Sequence, residues 1–450
     1  MVETVFTLFS DANTQWVVIG TLLLGLASGV LGSFALLKKQ SLIGDAMAHA
    51  ALPGICIAFL LYGAKSMLLF LISAALAGLF ATFLIQKIIQ LSRIKEDTSI
   101  GLVLSVFFGF GIVLLTFINQ NGNGNQSGLD DFIFGQAASL VGTDVKIISA
   151  IAVILLLAII LLFKEFKILA FDPQFAKGIG LPVGLLNGLL MSFIVCAVVI
   201  GLQAVGVILM SAMLITPAIA ARYWTEQLNK MVIIAGAIGA LSGVIGTLLS
   251  TTTKGMPTGP LIIVAATIMF LFSLIFAPRR GLLMKGIKLY RTRKLVAREH
   301  VLQTLYDLTE AQAIVKRPLR LPGFEMNVIL KKRPIPSAQL QRILRNLEKA
   351  KLVRRTDGPL WHLTKEGLIE AYEITLRNRL LEVYLMNESR YVHFNIKQDE
   401  HADILELPED SLIELEQLLK RYNRELRVIP KYSRTEKRVY QRHASWEGHK

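Results

Sequence analysis

The chain has 450 residues and is strongly basic, with 48 Lys and Arg, 33 Asp and Glu, and a net charge of +15. One hydrophobic core rarely supports this length, so at least two domains are expected. Residues 1–278 hold 13 basic and 11 acidic residues and the remainder holds 35 and 22, which predicts a membrane part followed by a water-soluble part. The two cysteines lie inside apolar segments, which excludes a disulfide framework and a cysteine metal site.

Nine apolar runs in the first part approach the roughly 20 residues that a transmembrane helix needs. They lie near residues 16–36, 46–64, 66–86, 99–118, 146–163, 183–203, 205–221, 231–249 and 259–277. Gly206 and Pro217 interrupt the seventh run, so eight crossings plus a re-entrant segment are the alternative to nine. The first run follows acidic residues and no basic segment, so it is expected to remain a helix and not to be removed as a signal peptide.

The loops between these runs differ in charge. One set of loops carries ten Lys and Arg residues, whereas the alternate set carries only Lys65, Lys146 and Lys254. Because basic loops stay in the cytoplasm, the N-terminus is predicted outside and the C-terminal domain inside. The polar stretch 119–131 is accordingly predicted to be an outside loop.

Asp45 and His49 stand four residues apart at the start of the second run, in SLIGDAMAHAALPG. On a helix they share one face, with β-carbons about 6 Å apart. A carboxylate and an imidazole are ligands that Mn²⁺, Zn²⁺ or Fe²⁺ accepts, and ionisable groups in a membrane usually face a bundle interior or a water-filled path. A purely structural Asp–His hydrogen bond is the alternative.

Two further stretches carry local signals. In residues 166–184, Asp172 and Pro173 predict a helix start, and Gly180 predicts its end. This piece is either a capped connector or a helix that docks onto a cytoplasmic partner. Residues 205–224 combine small residues with a Thr-Pro step, which favours close helix packing, with Met210 and Met213 in the core.

Three segments, GDAMAHAALPG, FDPQFAKGIGLPVG and VGVILMSAMLITPAIAAR, resemble in this order the membrane permease of bacterial metal-ion ABC importers, the manganese, zinc and iron group. The resemblance covers about residues 10–280. It implies a second permease copy or paralogue, a separate cytoplasmic ATPase and an extracellular metal-binding lipoprotein. It also implies that Asp45 and His49 line the ion path. The residues that match the ATPase-coupling region are Phe171, Asp172, Pro173, Phe175 and Gly180.

No GxxxxGK[ST] phosphate loop occurs in the sequence, so an ATP-driven role requires a partner. One Asp and one His coordinate a metal poorly, but two facing copies would supply four ligands. We therefore expect a non-enzymatic permease subunit that imports divalent metal, manganese first, without a permanently bound cofactor. Zinc or iron import by the same kind of permease is an alternative, as is a membrane-anchored, metal-responsive DNA-binding regulator.

The second part begins with a basic stretch, residues 284–296, which either contacts anionic lipid headgroups or is a solvated linker. In residues 337–355 the spacing of Leu340, Ile343, Leu344 and Leu347 predicts a helix with one buried face. KLVRRTDGPLWHLTKEG then predicts two short strands around a turn, followed by a helix from about Lys365.

The overall prediction is an all-α polytopic membrane bundle of eight or nine helices followed by a cytoplasmic winged-helix α+β domain. The expected domains are a permease domain (1–283), a basic linker (284–296), a winged-helix-like domain (297–385), dimerisation helices (386–430) and a disordered basic tail (431–450). Basic residues around the candidate recognition helix could contact phosphates, or form an ordinary solvated face: Lys331, Lys332, Arg333, Arg342 and Arg345.

Residues 297–420 resemble the diphtheria-toxin-repressor family of metal-dependent regulators, through LEKAKLVRRTDGPLWHLTKEGLIEA, RNRLLEVYL and DEHAD. Glu400 and His401 match an acid and a histidine of that family's metal site. The other ligand positions depart from the pattern, since Lys397 replaces an acid and Asn378 replaces a histidine. His300 and Gln303 stand near two expected acids. The resemblance therefore implies a degenerate metal site, and nucleic acid is a minor candidate partner.

Overall fold

A computed structural model describes residues 12–40, 42–63, 67–121, 142–252, 256–315, 321–356, 358–387, 404 and 407–430. Most of the predicted loop at 119–131 and the whole tail at 431–450 lie outside these ranges. The chain forms two compact units, Met1–Gly286 and Ile287–Lys450.

The first unit is helical throughout its described part. Its helices are α1 (Ala12–Leu37), α2 (Ile43–Tyr62), α3 (Met67–Leu91), α4 (Glu96–Asn121), α5 (Gly142–Leu161), α6 (Phe163–Phe171), α7 (Pro173–Gly178), α8 (Val183–Val205), α9 (Val207–Trp224), α10 (Leu228–Thr252) and α11 (Thr258–Phe276). Eight helices within the described ranges are long and apolar enough to cross a membrane, judged by length and composition. The bundle is thus a polytopic membrane domain.

The sixth and seventh apolar runs form separate helices that meet at Gly206. This residue has φ +94° between the end of α8 and the start of α9, a conformation that favours glycine because it has no β-carbon. Pro217 lies inside α9, and α9 is not one of the eight candidate spans in the described chain. The described residues thus give eight crossings by length and composition without α9, and nine if α9 also spans the membrane.

Helices α1 and α10 cross at very close range through small residues. A β-carbon on Gly25 would lie 2.2 Å from the carbonyl oxygen of Gly239, and one on Gly29 would lie 2.3 Å from that of Ala235. The hydroxyls of Thr21 and Thr247 are 2.9 Å apart in the same interface. Small residues permit such backbone approach between membrane helices. Met210 and Met213 are fully buried, as the packing interpretation of residues 205–224 predicts.

The second unit contains helices and one small sheet. Its elements follow α12 (Leu282–Val315), which begins before the division between the units, and are β1 (Gly323–Glu325), α13 (Met326–Lys332), α14 (Ser337–Lys349), β2 (Val353–Arg355), β3 (Leu360–Leu363), α15 (Lys365–Met386) and α16 (Glu409–Arg421). The strands form an antiparallel sheet in the order β1-β3-β2, with Phe324 opposite Trp361 and Arg354 opposite His362. The basic stretch 284–296 lies within α12.

The predicted elements of this unit occur at the expected places. Leu340, Leu344 and Leu347 are buried on α14, and the two predicted strands and the following helix are present. Strand β1 was not predicted, because a three-residue strand is too short to show alternation. Strand β1 forms by pairing with β3, whose residues lie more than 30 positions further along the chain.

Candidate functional site

Asp45 lies in the first turn of α2, where the positive end of the helix dipole favours a carboxylate. The chain enters this helix through a tight turn after α1. The amide of Gln40 donates to the carbonyl of Ala35 at 3.0 Å, and the amide of Ile43 donates to the carbonyl of Gln40 at 3.2 Å. The turn therefore fixes where α2 begins and where Asp45 stands.

His49 lies one turn further along α2, with its Nε2 3.5 Å from Oδ1 of Asp45. Ordinary N–H···O hydrogen bonds are about 2.7–3.2 Å long, so the two groups are juxtaposed and not tightly bonded. Their side chains are 14% and 35% exposed for His49 and Asp45. The Nδ1 atom of His49 is buried and has no hydrogen-bond partner within the described chain. In this geometry the pair is not a closed, self-satisfied hydrogen bond.

Phe108 of α4 fixes the orientation of the imidazole. Its ring meets that of His49 edge to face, with centroids 4.7 Å apart. Sequence reasoning missed this residue, because Phe108 stands in an apolar run with three other phenylalanines and no local pattern distinguishes it. The contact places α4 beside the Asp45/His49 pair.

No group of three or more His, Cys, Asp or Glu side chains suitable for a metal occurs in the part of the chain that the structure describes. Asp45 and His49 supply two donors, and borderline divalent ions take four or more ligands. Within the described residues, one copy of this site therefore offers fewer side-chain donors of these types than such ions take.

The predicted helix start at Asp172 and Pro173 is confirmed. Oδ1 of Asp172 accepts a hydrogen bond from the amide of Phe175 at 2.9 Å, and Pro173 occupies the first helical position of α7. The helix ends before Gly180, whose φ of +85° is the left-handed conformation that closes helices. The short helix is thus defined at both ends by its own sequence.

Three large apolar side chains in and next to α7 are exposed. Phe171, Phe175 and Ile179 are 59%, 57% and 51% exposed, whereas Ala176 is fully buried against the bundle. Phe171 and Phe175 each have a polar neighbour in the sequence, and all three lie outside the candidate spans. An exposed apolar cluster of this kind at a polar end of the protein is typical of a protein–protein contact.

Four polar side chains meet at the same end of the bundle, and sequence reasoning missed them as a group. Lys38 Nζ donates to Oδ1 of Asn187 in α8, and Gln40 Nε2 donates to Oε1 of Glu96 in α4. Burial lowers the pKa of Lys38 to about 8, and attraction by Glu96 offsets this in part. Lys38 is close in sequence to Asp45, whereas Asn187 and Glu96 come from distant helices.

In the second unit, the basic residues of the candidate DNA-binding set do not all face solvent. Lys331, Lys332, Arg342 and Arg345 are exposed. Arg333 instead contacts Nδ1 of His300 at 2.7 Å. Burial and the charge of Arg333 lower the pKa of His300, with a smaller opposing effect of Glu299, so the neutral ring accepts from the guanidinium. Arg333 is therefore already occupied within the unit.

The residues of the degenerate regulator-type site are described only in part. Nδ2 of Asn378 donates to Oε1 of Gln303 at 3.1 Å, so α15 and α12 do bring these two positions together. The two side-chain amides use a donor and an acceptor on each other, and neutral amides are weaker ligands for these metal ions than carboxylates or imidazoles. Lys397, Glu400 and His401 lie outside the described residues.

A partly buried ionic cluster holds the end of the second unit. Arg379 lies 3.1 Å from Asp307 and 2.6 Å from Glu310, and its guanidinium also donates to the carbonyls of Arg424 and Glu425. Glu310 in turn accepts from the amide of Arg427 at 2.8 Å. These bonds fasten the segment after α16 to α12 and α15.

Comparisons with known proteins agree with the membrane part. The ABC 3 transport family matches residues 10–277. The chain is 54% identical over 424 residues to the manganese transport system membrane protein MntC of Bacillus subtilis, covering 94% of this chain and 95% of that protein. It is 45% identical over 287 residues to the zinc transport system membrane protein TroC of Treponema pallidum, covering 64% and 95%.

Two further likenesses concern the same region. The chelated iron transport system membrane protein YfeD of Yersinia pestis is 35% identical over 268 residues, covering 60% of this chain and 86% of that protein. The solved structure of PsaBC from Streptococcus pneumoniae in complex with Fab matches with a TM-score of 0.56 and 33% identity, covering 64% of this chain and 100% of that chain. With more than half of its length matched by the family and a helical bundle of the same fold, the chain belongs to the ABC 3 transport family.

Proposed function

We propose that this chain, a permease subunit of a metal-ion ABC importer, carries Mn²⁺ into the cytoplasm along a path that includes Asp45 and His49. The observation that carries the proposal is the arrangement of this pair. The carboxylate of Asp45 lies 3.5 Å from Nε2 of His49 within a bundle of apolar helices, and the far ring nitrogen, Nδ1, is buried without a hydrogen-bond partner in the described chain. Groups of this kind are costly in a membrane unless they serve a path or a ligand.

Manganese is favoured among the divalent ions by the relatives. The Bacillus subtilis protein that shares 54% identity over most of both chains is a manganese transport protein, while the zinc and iron relatives cover about 60% of this chain. Nitrogen and oxygen donors alone do not separate these ions, because each accepts a carboxylate and an imidazole. Zinc or iron import by the same site is the competing assignment.

The transport mechanism is alternating access in an assembly of two permeases. Two copies of Asp45 and His49 that face one another supply four ligands, enough to hold a partly dehydrated ion for a short time. A transit site of this kind must release its ion, so it should not be a closed, high-affinity cage. An extracellular metal-binding lipoprotein delivers the ion at the outer mouth.

The energy comes from a separate cytoplasmic ATPase that docks on the segment around α7. Support comes from the exposed side chains of Phe171, Phe175 and Ile179 and from the capped geometry that fixes them. Movement of this segment on ATP binding rearranges the bundle. With α9 as the ninth crossing, the N-terminus is outside and the C-terminal unit is cytoplasmic, as the basic loops predict.

The C-terminal unit is a winged-helix-like domain attached to the permease. Its order of helix, strand, two helices and a two-stranded hairpin supports this assignment. The Asn378–Gln303 bond and the occupied Arg333 make metal-gated DNA binding the weaker role, although four basic side chains remain exposed. A membrane-anchored DNA-binding regulator is thus the second candidate function.

The deciding experiment is uptake of radiolabelled Mn²⁺ in cells that express this chain with and without a cognate ATPase, with Zn²⁺ and Fe²⁺ as competitors. ATPase-dependent uptake that Zn²⁺ and Fe²⁺ compete for poorly is expected. Efficient competition by either ion would reassign the substrate to that metal. Absence of uptake under both conditions would favour the membrane-anchored regulator.

A further inference from the structure

The turn between α1 and α2, residues 38–40, is connected to two other helices by side chains. The turn is tight, with Lys39 at φ +60°, a left-handed conformation that costs an ordinary residue about 1–2 kcal/mol. It leads directly into the helix that carries Asp45 and His49. A change in the position of this turn must therefore change the start of α2.

The first connection joins the turn to α8 through Lys38 and Asn187. Asn187 lies in the second turn of α8, and the chain between α7 and α8 is short and internally bonded. The amide of Leu181 donates to the carbonyl of Ala176 at 3.0 Å, and that of Leu186 donates to Pro182 at 3.0 Å. The end of α7 and the start of α8 are thus each closed by backbone hydrogen bonds and joined directly at residues 181 and 182.

The second connection joins the turn to α4 through Gln40 and Glu96. Glu96 is the first residue of α4, and Phe108 on the same helix packs against His49. The turn consequently reaches the imidazole by two routes: along α2 itself, and through α4 and its aromatic contact. Both routes start at residues 38–40.

The chemistry of the first connection suits a joint that opens and closes. Lys38 is partly buried, and within the described chain no carboxylate lies within ion-pair distance of its ammonium group. Its direct partner is the neutral amide of Asn187, and Glu96 attracts it only from farther away. A hydrogen bond to a neutral amide is weaker than one to a carboxylate and is therefore easier to exchange during a movement.

We infer that Lys38 and Asn187 form a coupling joint that transmits movement of the ATPase-docking segment to the Asp45/His49 pair. The inference rests on the proposed function and adds the route by which the two sites communicate. Neither residue belongs to the Asp45/His49 pair, so both are assigned a positioning role. Two discrete arrangements of such a joint, each favoured by one state of the ATPase, are what coupling between separate sites requires.

The test uses the full chain assembled with its ATPase and reconstituted in proteoliposomes. ATP hydrolysis and Mn²⁺ uptake are measured in the same preparation for the wild type, Lys38→Met and Asn187→Ala. We expect both variants to assemble and hydrolyse ATP, with Mn²⁺ transported per ATP reduced at least about threefold. Lys38→Arg, which keeps a charged donor, is expected to retain most of the wild-type ratio.

Asn229→Ala is the matched control. Asn229 accepts a hydrogen bond from Lys167 at 3.5 Å, a similar Lys–Asn contact that does not reach α2. The variant removes this contact, and its ratio of Mn²⁺ transported per ATP is expected to stay unchanged. An unaltered ratio in Asn187→Ala, or a loss of assembly in both Lys38→Met and Asn187→Ala, would overturn the joint while leaving the wild-type importer intact. A wild-type complex without ATP-dependent uptake would instead overturn the proposed function, and the joint with it.

Discussion

Asp45 and His49 lie 3.5 Å apart on one face of α2, and the far nitrogen of the histidine, Nδ1, is buried without a hydrogen-bond partner in the described chain. A structural Asp–His pair normally satisfies the second ring nitrogen as well, because a buried polar atom without a partner costs about 1–3 kcal/mol. The arrangement therefore leaves binding capacity unused in the isolated subunit. In the proposed function, a transiently bound metal ion uses this capacity.

The edge-to-face contact of Phe108 predicts a moderate effect on ion binding. Phe108→Leu removes an aromatic interaction worth about 0.5–1.5 kcal/mol, so the apparent affinity for Mn²⁺ should fall about 2- to 10-fold. The concentration dependence of uptake measures this affinity. Phe110→Leu, an exposed phenylalanine on the same helix, is the control and should leave the affinity unchanged. Equal affinities in both variants would remove Phe108 from the site.

The exposed phenylalanines of the docking segment should control association with the ATPase. Phe175→Ala is expected to weaken co-purification of the ATPase at least about fivefold, because a buried aromatic anchor usually contributes more than 1 kcal/mol to an interface. Leu185→Ala removes a similarly exposed apolar side chain from α8 and should have no effect. Normal association of Phe175→Ala would show that the ATPase docks elsewhere.

The cap at Asp172 gives a related but separable expectation. Asp172→Ala leaves the amide of Phe175 without its partner and should destabilise the start of α7 by about 0.5–2 kcal/mol. Amide hydrogen exchange of residues 174–178 should become faster, and ATPase association should weaken in proportion. Unchanged exchange in this segment would contradict the assigned role of the cap.

The crossing of α1 and α10 should tolerate no added methyl group. Gly239→Ala would place a β-carbon 2.1 Å from the carbonyl oxygen of Gly25, so the helices must separate, at a cost of at least about 1–3 kcal/mol. The thermal unfolding temperature in detergent should fall accordingly. Gly101→Ala is the control, since a β-carbon there meets no atom within 4 Å. Equal stability of the two variants would refute the close crossing.

The ionic cluster of the second unit makes its stability depend on pH. Burial raises the pKa of Asp307, and Arg379 offsets this in part. The folded state therefore keeps the proton to a higher pH than the unfolded state, so the contribution is fully present below the ordinary Asp pKa and is lost as pH rises through the raised value. Asp307→Asn should reduce this dependence, which hydrogen exchange of residues 424–428 between pH 4 and 7 would measure. An identical pH dependence in wild type and variant would contradict it.

Sequence patterns identified what depends on neighbours along the chain. Hydropathy located the membrane helices, the Asp-Pro pair located the start of α7, and the four-residue spacing placed Asp45 and His49 on one face. These features follow from segment length, capping and helical periodicity.

Contacts between distant segments could not be predicted in the same way. Phe108 and Asn187 lie 59 and 138 positions from His49 in the chain, on helices that are apolar around most of their surface and so show no periodic face. Lys38 entered the sequence argument only as a positive charge that orients the bundle. Its bond to Asn187 depends on how α1 and α8 pack, which hydropathy does not determine.

The most direct test of the central claim is ATPase-dependent uptake of radiolabelled Mn²⁺ by Asp45→Ala in the assembled complex. Asp97→Ala is the matched control, because Asp97 lies in the first turn of α4 as Asp45 lies in the first turn of α2. The side chain of Asp97 is exposed. We predict that Asp45→Ala assembles with the ATPase but loses at least about tenfold in uptake, while Asp97→Ala transports normally. Wild-type uptake by Asp45→Ala would contradict the assignment of the ion path.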